Sequence, residues 1–221
     1  QQRGALARSL ASEPQVILLD EPFSNLDAGL RAQVREEVKE ILKNSNITAI
    51  FVTHDQEEAF FMGDLVGVQY QGRLEQIDTP EEIFHAPESS FVARFMGMAD
   101  FLPARFEKGM LWTEIGPVPN PRVIVSGDGL EVMVRPDDLL INPSEEGPGR
   151  ITKRIFQGAF CLYQVALPSG ATLHSLRPYA EQYRVGTLVE ARLTEHELLC
   201  FRDGYSQRPF TIHMFACLYG C

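Results

Sequence analysis

The stretch that decides the fold is QVILLDEPFSNLDAGL, residues 15–30. Four apolar residues, Val16 to Leu19, run into two adjacent carboxylates, Asp20 and Glu21, with Pro22 next and a third acid at Asp27. A short, continuous apolar run predicts a strand buried on both faces of a parallel sheet. Such a strand delivers its C-terminal end to the ligand edge of an α/β sheet. Acids there face a site, where a core would exclude them. The plainer reading is that the two acids mark the strand's exit to solvent.

Working outward, Asp27 predicts the cap of a helix over 28–43, with Leu30, Val34, Val38, Ile41 and Leu42 on one stripe. Residues 44–46 read as a loop, and TAIFVTH, 48–54, as a second buried strand. Asp55 and Glu58 form a capping-box pattern opening a helix through Met62. Upstream, Gln2 to Ala11 reads as a helix ended by Glu13-Pro14. Strand and helix alternate, so the class is α/β with a parallel sheet. Residues 65–77 predict a hairpin around Gly72; Thr79, Pro80 and Glu82 sign the start of another helix, and 89–97 reads as one more. After Gly97 the pattern turns to short β-rich runs, EVMVRP, GRITKRIF, CLYQVAL and TLVEARL, split by Gly, Pro and Asp. These predict a second, all-β domain, a small barrel. The expected organisation is 1–98, 99–203, and an irregular tail 204–221.

The chain has 221 residues, 44% hydrophobic and 23% charged, with a formal net charge of −10. That is the composition of a globular protein, and the acidic balance excludes nucleic-acid binding by a basic surface. No apolar run reaches the roughly 18 residues of a membrane span, and no signal-peptide pattern is present. Cys161, Cys200, Cys217 and Cys221 lack CxxC spacing and read as reduced thiols. The opening QQRGALARSLA starts inside a helical pattern, so the chain is expected to be the C-terminal part of a longer one.

The chemistry of the paired acids follows from their place. At a phosphate-transfer site one acid holds Mg²⁺ and a neighbour orients the attacking water. Asp20 and Glu21 fit those roles. His54 ends the next strand, so both strand ends point to one sheet edge, and its ring could hydrogen-bond a terminal phosphate. The helix opening at Gln2 and Arg3 could turn its N-terminus to phosphate oxygens.

At this point a family resemblance is specific. VILLDEP resembles the Walker B strand of ABC transporter ATP-binding subunits, SNLD at 24–27 the D-loop, and VTHDQEEA the switch-histidine segment. QQRGALARSLA resembles the residues just after the ABC signature, with Gly4 where the family has a larger apolar residue. GRLEQIDTPEEIFHAPESSFVARFMG resembles the end of the nucleotide-binding domain in importers of spermidine/putrescine, sugars or ferric iron, and VRPDDL, 134–139, the start of their TOBE domain. The resemblance covers about residues 1–200.

It implies the C-terminal half of an α/β P-loop NTPase, an ABC nucleotide-binding domain, followed by an OB-like TOBE barrel. It implies an ATPase powering import, with ATP and Mg²⁺ as cofactors. Glu21 and His54 would be catalytic, and Asp20 would hold Mg²⁺. Asp20, Asp27, Gln2 and Arg3 would contact the cofactor, Asp27 across a dimer interface. Partners would be transmembrane permease subunits, a second ATP-binding subunit and an extracytoplasmic substrate-binding protein, at the cytoplasmic face of the membrane and with no nucleic acid. The phosphate-cradling glycine loop, the glutamine loop and the LSGGQ signature are absent from the sequence, so the 221-residue chain alone is expected neither to bind ATP tightly nor to turn it over.

MADFLPARF (98–106) and TEIG (113–116) lean toward ferric-iron importers, with polyamine or sugar import as the alternative. Non-transport ABC ATPases should show long heptad helices and no TOBE-like domain. A non-catalytic ligand-sensing module is a further class, disfavoured by the intact LLDEP and VTH. Elsewhere the plain readings prevail. REEVKE, 35–40, is a solvated helix face, and Phe60, Phe61 and Met62 are packing. Trp112 is core or junction, Cys161 and Tyr163 share one barrel face, and His174 and His196 are too isolated to bind metal.

Overall fold

The structure is a computed structural model that describes residue 4 and residues 8–45, 47–118, 121–122 and 127–207. It divides into two compact units that meet between Ala86 and Pro87.

In the first unit, strand β1 (Val16–Asp20) pairs in parallel with β2 (Thr48–Val52), in a register running from Val16 opposite Thr48 to Asp20 opposite Val52. Helix α1 (Ala28–Ser45) makes the crossover. Ile17, Phe23, Val34, Val38 and Leu42 are buried together, with Leu19, Ala49 and Phe51 packed against them. The sheet thus buries one face only. Val16 (48% exposed), Leu18 (73%), Ile50 (52%) and Val52 (56%) lie on the other. This corrects the expectation of strands buried on both faces: α1 covers one side, and alternate side chains point to the other. The helix stripe is also narrower than expected. Leu30 and Ile41 are exposed, because two strands are too narrow to cover its flanks.

Strand β2 ends at Val52, so Thr53 and His54 belong to the turn before helix α2 (Gln56–Met62). Strands β3 (Val66–Tyr70) and β4 (Arg73–Asp78) form the expected hairpin. Gln71 and Gly72 turn it with φ of 47° and 77°, the paired positive angles of a type I′ turn. Helix α3 (Pro80–His85) begins as its sequence signature predicts, with the Thr79 hydroxyl accepting from the Glu82 N–H at 3.3 Å. Phe60 meets Phe84 edge-on at 6.0 Å, and Met62 joins the core. Phe61 instead lies 40% exposed with Lys39 over its ring at 4.8 Å.

The second unit opens with helix α4 (Ser90–Phe95), capped by Ser89. The β strands follow in chain order. They are β5 (Asp100–Glu107), β6 (Met110–Thr113), β7 (Gly116–Pro117), β8 (Pro121–Arg122), β9 (Leu130–Val134) and β10 (Leu139–Pro143). After these come β11 (Gly149–Gln157), β12 (Phe160–Ala166), β13 (Thr172–Pro178), β14 (Leu188–Leu193), β15 (Leu198–Arg202) and β16 (Tyr205–Ser206). A five-stranded sheet runs β10-β14-β11-β12-β13. A seven-stranded one runs β16-β15-β9-β5-β6-β7, with β8 against β15. Both line one core: Leu102, Leu111, Val132 and Val134 come from the larger sheet, and Ile141, Ile151, Cys161, Tyr163, Val165, Leu173 and Val189 from the smaller. The small barrel read from the sequence is therefore two hydrogen-bonded sheets around a shared core.

Three features of the second unit bear on its bounds and its core. The compact unit starts before residue 99, because Ala93 of α4 is buried with Met133, Leu199 and Phe201. Buried Arg135 also donates to the Ala93 and Met98 carbonyls at 3.5 and 3.1 Å. The tail is not irregular from 204, since β16 pairs Tyr205 with Arg202 through a turn at Asp203 and Gly204; residues 208–221 lie outside the described residues. Trp112 is 43% exposed, and its neighbour Leu111 takes the core position. His174 pairs with Asp100 at 3.1 Å and His196 with Asp138 at 3.3 Å. Among the described residues no cluster of three or more His, Cys, Asp or Glu is placed to hold a metal ion by itself, and no helix is long and apolar enough to cross a membrane.

Candidate functional site

Parallel pairing brings the ends of β1 and β2 to one edge. Asp20 is the last residue of β1 and is exposed. Glu21 leaves the strand in the left-handed region, φ 42°, while its N–H still donates to the Val52 carbonyl at 2.8 Å. The Glu21 carbonyl accepts from the Ser24 hydroxyl at 3.0 Å and the Ser24 N–H at 3.3 Å. A side chain in this region is strained, and these bonds hold it there. The turn points the Glu21 carboxylate across the sheet edge, and the His54 Nδ1–H donates to it at 3.0 Å.

The pair is open to solvent, with 75% of the His54 side chain and 46% of Glu21's exposed. Even so, the hydrogen bond to Glu21 raises the His54 pKa above its ordinary 6.5, with the Glu21 charge adding to it, burial opposing weakly, and Asp55 and Glu58 contributing less. With Nδ1 engaged, the other ring nitrogen, Nε2, remains for a ligand.

Asp27 is placed differently. Its Oδ1 accepts the Leu30 N–H at 3.0 Å, capping α1 as the sequence predicts. Its carboxylate thus serves the helix, and it does not line the small hollow beside Glu21. Gln2 and Arg3 lie outside the described residues.

The hollow is lined by Glu21, Ser24, Arg31, Thr53, His54, Asp55 and Glu58. Several of these escape sequence reasoning. The Thr53 hydroxyl donates to the Glu58 carboxylate at 2.7 Å and accepts the Asp55 N–H at 3.0 Å. Asp55 caps α2 through the Glu57 and Glu58 N–H groups at 2.9 and 3.3 Å. The expected capping box is thus altered: Glu58, only 3% exposed, turns to the Thr53 hydroxyl. A Thr just before the histidine, with a Glu five residues on, was the available signal.

Residues 132–201 match the TOBE domain family. The chain is 40% identical over 188 residues to the spermidine/putrescine import ATP-binding protein PotA of Nitratidesulfovibrio vulgaris, covering 78% of this chain and 51% of that protein. It is 36% identical over 209 residues to the Fe(3+) ions import ATP-binding protein FbpC of Pseudomonas fluorescens, 87% of this chain and 58% of that protein. It is 41% identical over 146 residues to the sulfate/thiosulfate import ATP-binding protein CysA of Xanthomonas campestris pv. campestris, 66% of this chain and 42% of that protein. The chain is a homologue of import ATP-binding proteins and carries a TOBE domain.

The TOBE match begins inside β9 and ends inside β15, so it spans all of the five-stranded sheet. The first unit, with the Glu21–His54 pair, lies outside that match. This homologue spans about half the length of the curated relatives it matches.

Proposed function

We propose that this chain is the C-terminal part of the ATP-hydrolysing subunit of an ABC importer, the unit 1 portion being half of a P-loop NTPase domain. The observation that carries the reading is the 3.0 Å contact between His54 Nδ1 and the Glu21 carboxylate at the ends of neighbouring parallel strands. Glu21 is an acid held by strained backbone at the ligand edge, placed to accept a proton from an attacking water. His54 Nδ1 is committed to Glu21, which fixes the ring so that Nε2 can donate to a terminal phosphate oxygen in the imidazolium form, the form Glu21 favours.

Mg²⁺ fits Asp20: its carboxylate is exposed at the strand end, a hard oxygen ligand of the kind this ion takes alongside substrate phosphates. When bound, the ion would neutralise charge on those phosphates. The remaining expectations stand as part of the same proposal. Gln2 and Arg3 contact nucleotide, Asp27 faces a second subunit, the ATP-binding part runs to about residue 98 although its last helix, α4, packs within the second compact unit, and the chain alone lacks turnover. The proposed partners are permease subunits, a second copy and an extracytoplasmic substrate-binding protein, at the cytoplasmic face of the membrane.

Relatives named for polyamine, ferric-iron and sulfate import give equal support to several cargoes. Ferric iron and polyamine are the two we carry, and they separate by which one stimulates hydrolysis in the reconstituted importer.

The test of the core reading is Glu21→Gln in the full-length protein. ATP binding should persist while turnover drops by about 10²-fold or more, the scale of losing a positioned base. Unchanged turnover would remove Glu21 from the chemistry.

A further inference from the structure

Arg31 lies one turn into α1, and its backbone N–H donates to the Asp27 carbonyl at 2.8 Å. Its side chain folds back over the start of the helix. Nη2 donates to the Leu26 carbonyl at 3.0 Å, and Nη1 reaches Asp55 Oδ2 at 3.5 Å. Leu26 immediately precedes Asp27, and Asp55 immediately follows His54. One guanidinium therefore spans the two loops that carry these residues.

The Asp55 carboxylate divides its oxygens to match. Oδ1 takes the N–H groups of Glu57 and Glu58, and Oδ2 faces Arg31. Behind it, Thr53 bonds both the Asp55 N–H and the Glu58 carboxylate. The backbone on either side of His54 is thus fastened to α2, and the cap of α2 to Arg31.

Helix stability does not account for this arginine. A cation near the N-terminal end is opposed by the helix dipole. Its Nε is buried and has no hydrogen-bond partner among the described residues, which is costly for a donor of this kind. Its side chain is 30% exposed, and Asp55's 28%, so the pair sits partly out of water. The planar fork of an arginine can serve two acceptors in different directions, which the point charge of a lysine does poorly.

We infer that Arg31 is a positioning residue that clasps the Asp27 loop to the His54 loop, so that a shift of one moves His54 relative to Glu21. This rests on the reading of Glu21 and His54 as the hydrolytic pair and of Asp27 as facing a second subunit. Under it, engagement of the Asp27 loop pulls on the Leu26 carbonyl and is passed through the guanidinium to Asp55. The loop that meets a partner then sets the geometry of the histidine that meets phosphate.

The test compares Arg31→Gln, Arg31→Lys, Asp55→Asn and the Gln/Asn double variant. Asn keeps the helix-capping oxygen and removes the charge, so α2 should survive. Heteronuclear NMR on the 221-residue chain reads the His54 ring and the amides of residues 24–27. Arg31→Gln should shift both sets, and the double variant should shift His54 no further than either single change. Shifts confined to α1, or additive shifts at His54, would overturn the clasp.

A second arm measures ATP turnover by the full-length protein with its permease. Arg31→Gln should lower kcat about tenfold with KM for ATP within about twofold, and Arg31→Lys should fall between. A raised KM at unchanged kcat would count against positioning. If the unaltered protein hydrolyses no ATP, the reading of the site fails, and the NMR arm still decides the clasp.

Discussion

Glu21 combines a strained backbone with a charged side chain, and the two are linked. At φ 42° a residue with a Cβ carries about 1–2 kcal/mol of strain, yet this angle swings the carboxylate to His54. The His54 pKa records the contact. Because the folded value is raised, the stabilisation it brings is complete below 6.5 and is lost as pH climbs through the folded value. In an NMR titration of the chain, His54 should show its midpoint above 6.5, and Glu21→Gln should move it down toward that value. A midpoint at or below 6.5 in the unaltered chain would mean that the hydrogen bond is not kept in solution. At this scale the paired residues were legible, since acids after an apolar run and a histidine after a second one leave few other places to go. Arg31, Thr53 and Glu58 were not. Nothing in the spacing of Arg31 says that a helix-face arginine folds back onto a carbonyl, and the five-residue step from Thr53 to Glu58 gains its meaning only once the acid is seen turned inward to the hydroxyl.

Among the elements, β1 and β2 were read with the right extent at their starts and the wrong environment. An unbroken apolar run signals that both faces suit a core, but not that both are covered in the chain at hand. Here alternate residues diverge sharply: Ile17 is 5% exposed and Leu18 is 73% exposed. In urea denaturation of the 221-residue chain, Ile17→Ala should cost about 2–5 kcal/mol, the usual range for truncating a buried side chain. Leu18→Ala should stay within about 0.5 kcal/mol, as for surface positions. Equal costs would show that the outer face is covered in solution. The hairpin and the cap of α3 were legible because their turn and cap chemistry is local. Strands such as β5, β6, β10, β13 and β15 were less so, because their pairing is made by distant segments that no local pattern names. Gly147 illustrates the difference. It reads as loop punctuation, yet a Cβ there would lie 2.2 Å from the Val189 carbonyl carbon, so the glycine serves a close backbone approach.

At the scale of the molecule, the change from alternating α/β to β-rich sequence announced two units, but composition placed the change at 98/99. The compact unit reaches back to Pro87 because α4 packs on Met133, Leu199 and Phe201. All residues of its main core, from Leu102 to Cys200, come from within it. A unit that closes its own core should fold alone. We therefore expect residues 87–207, expressed without the first unit, to melt cooperatively by circular dichroism. Two thiols give a sharper readout. Cys161 and Cys200 are free and buried, and burial pushes the Cys200 pKa up to about 11. Burial keeps reagent from both sulfurs, and at Cys200 it also disfavours the reactive thiolate, so both should resist alkylation at neutral pH in the folded unit and react once denaturant is added. Labelling by mass spectrometry at the denatured rate in buffer alone would show that the β unit needs the first unit to fold. The division at Ala86 would then describe packing and not an independent domain.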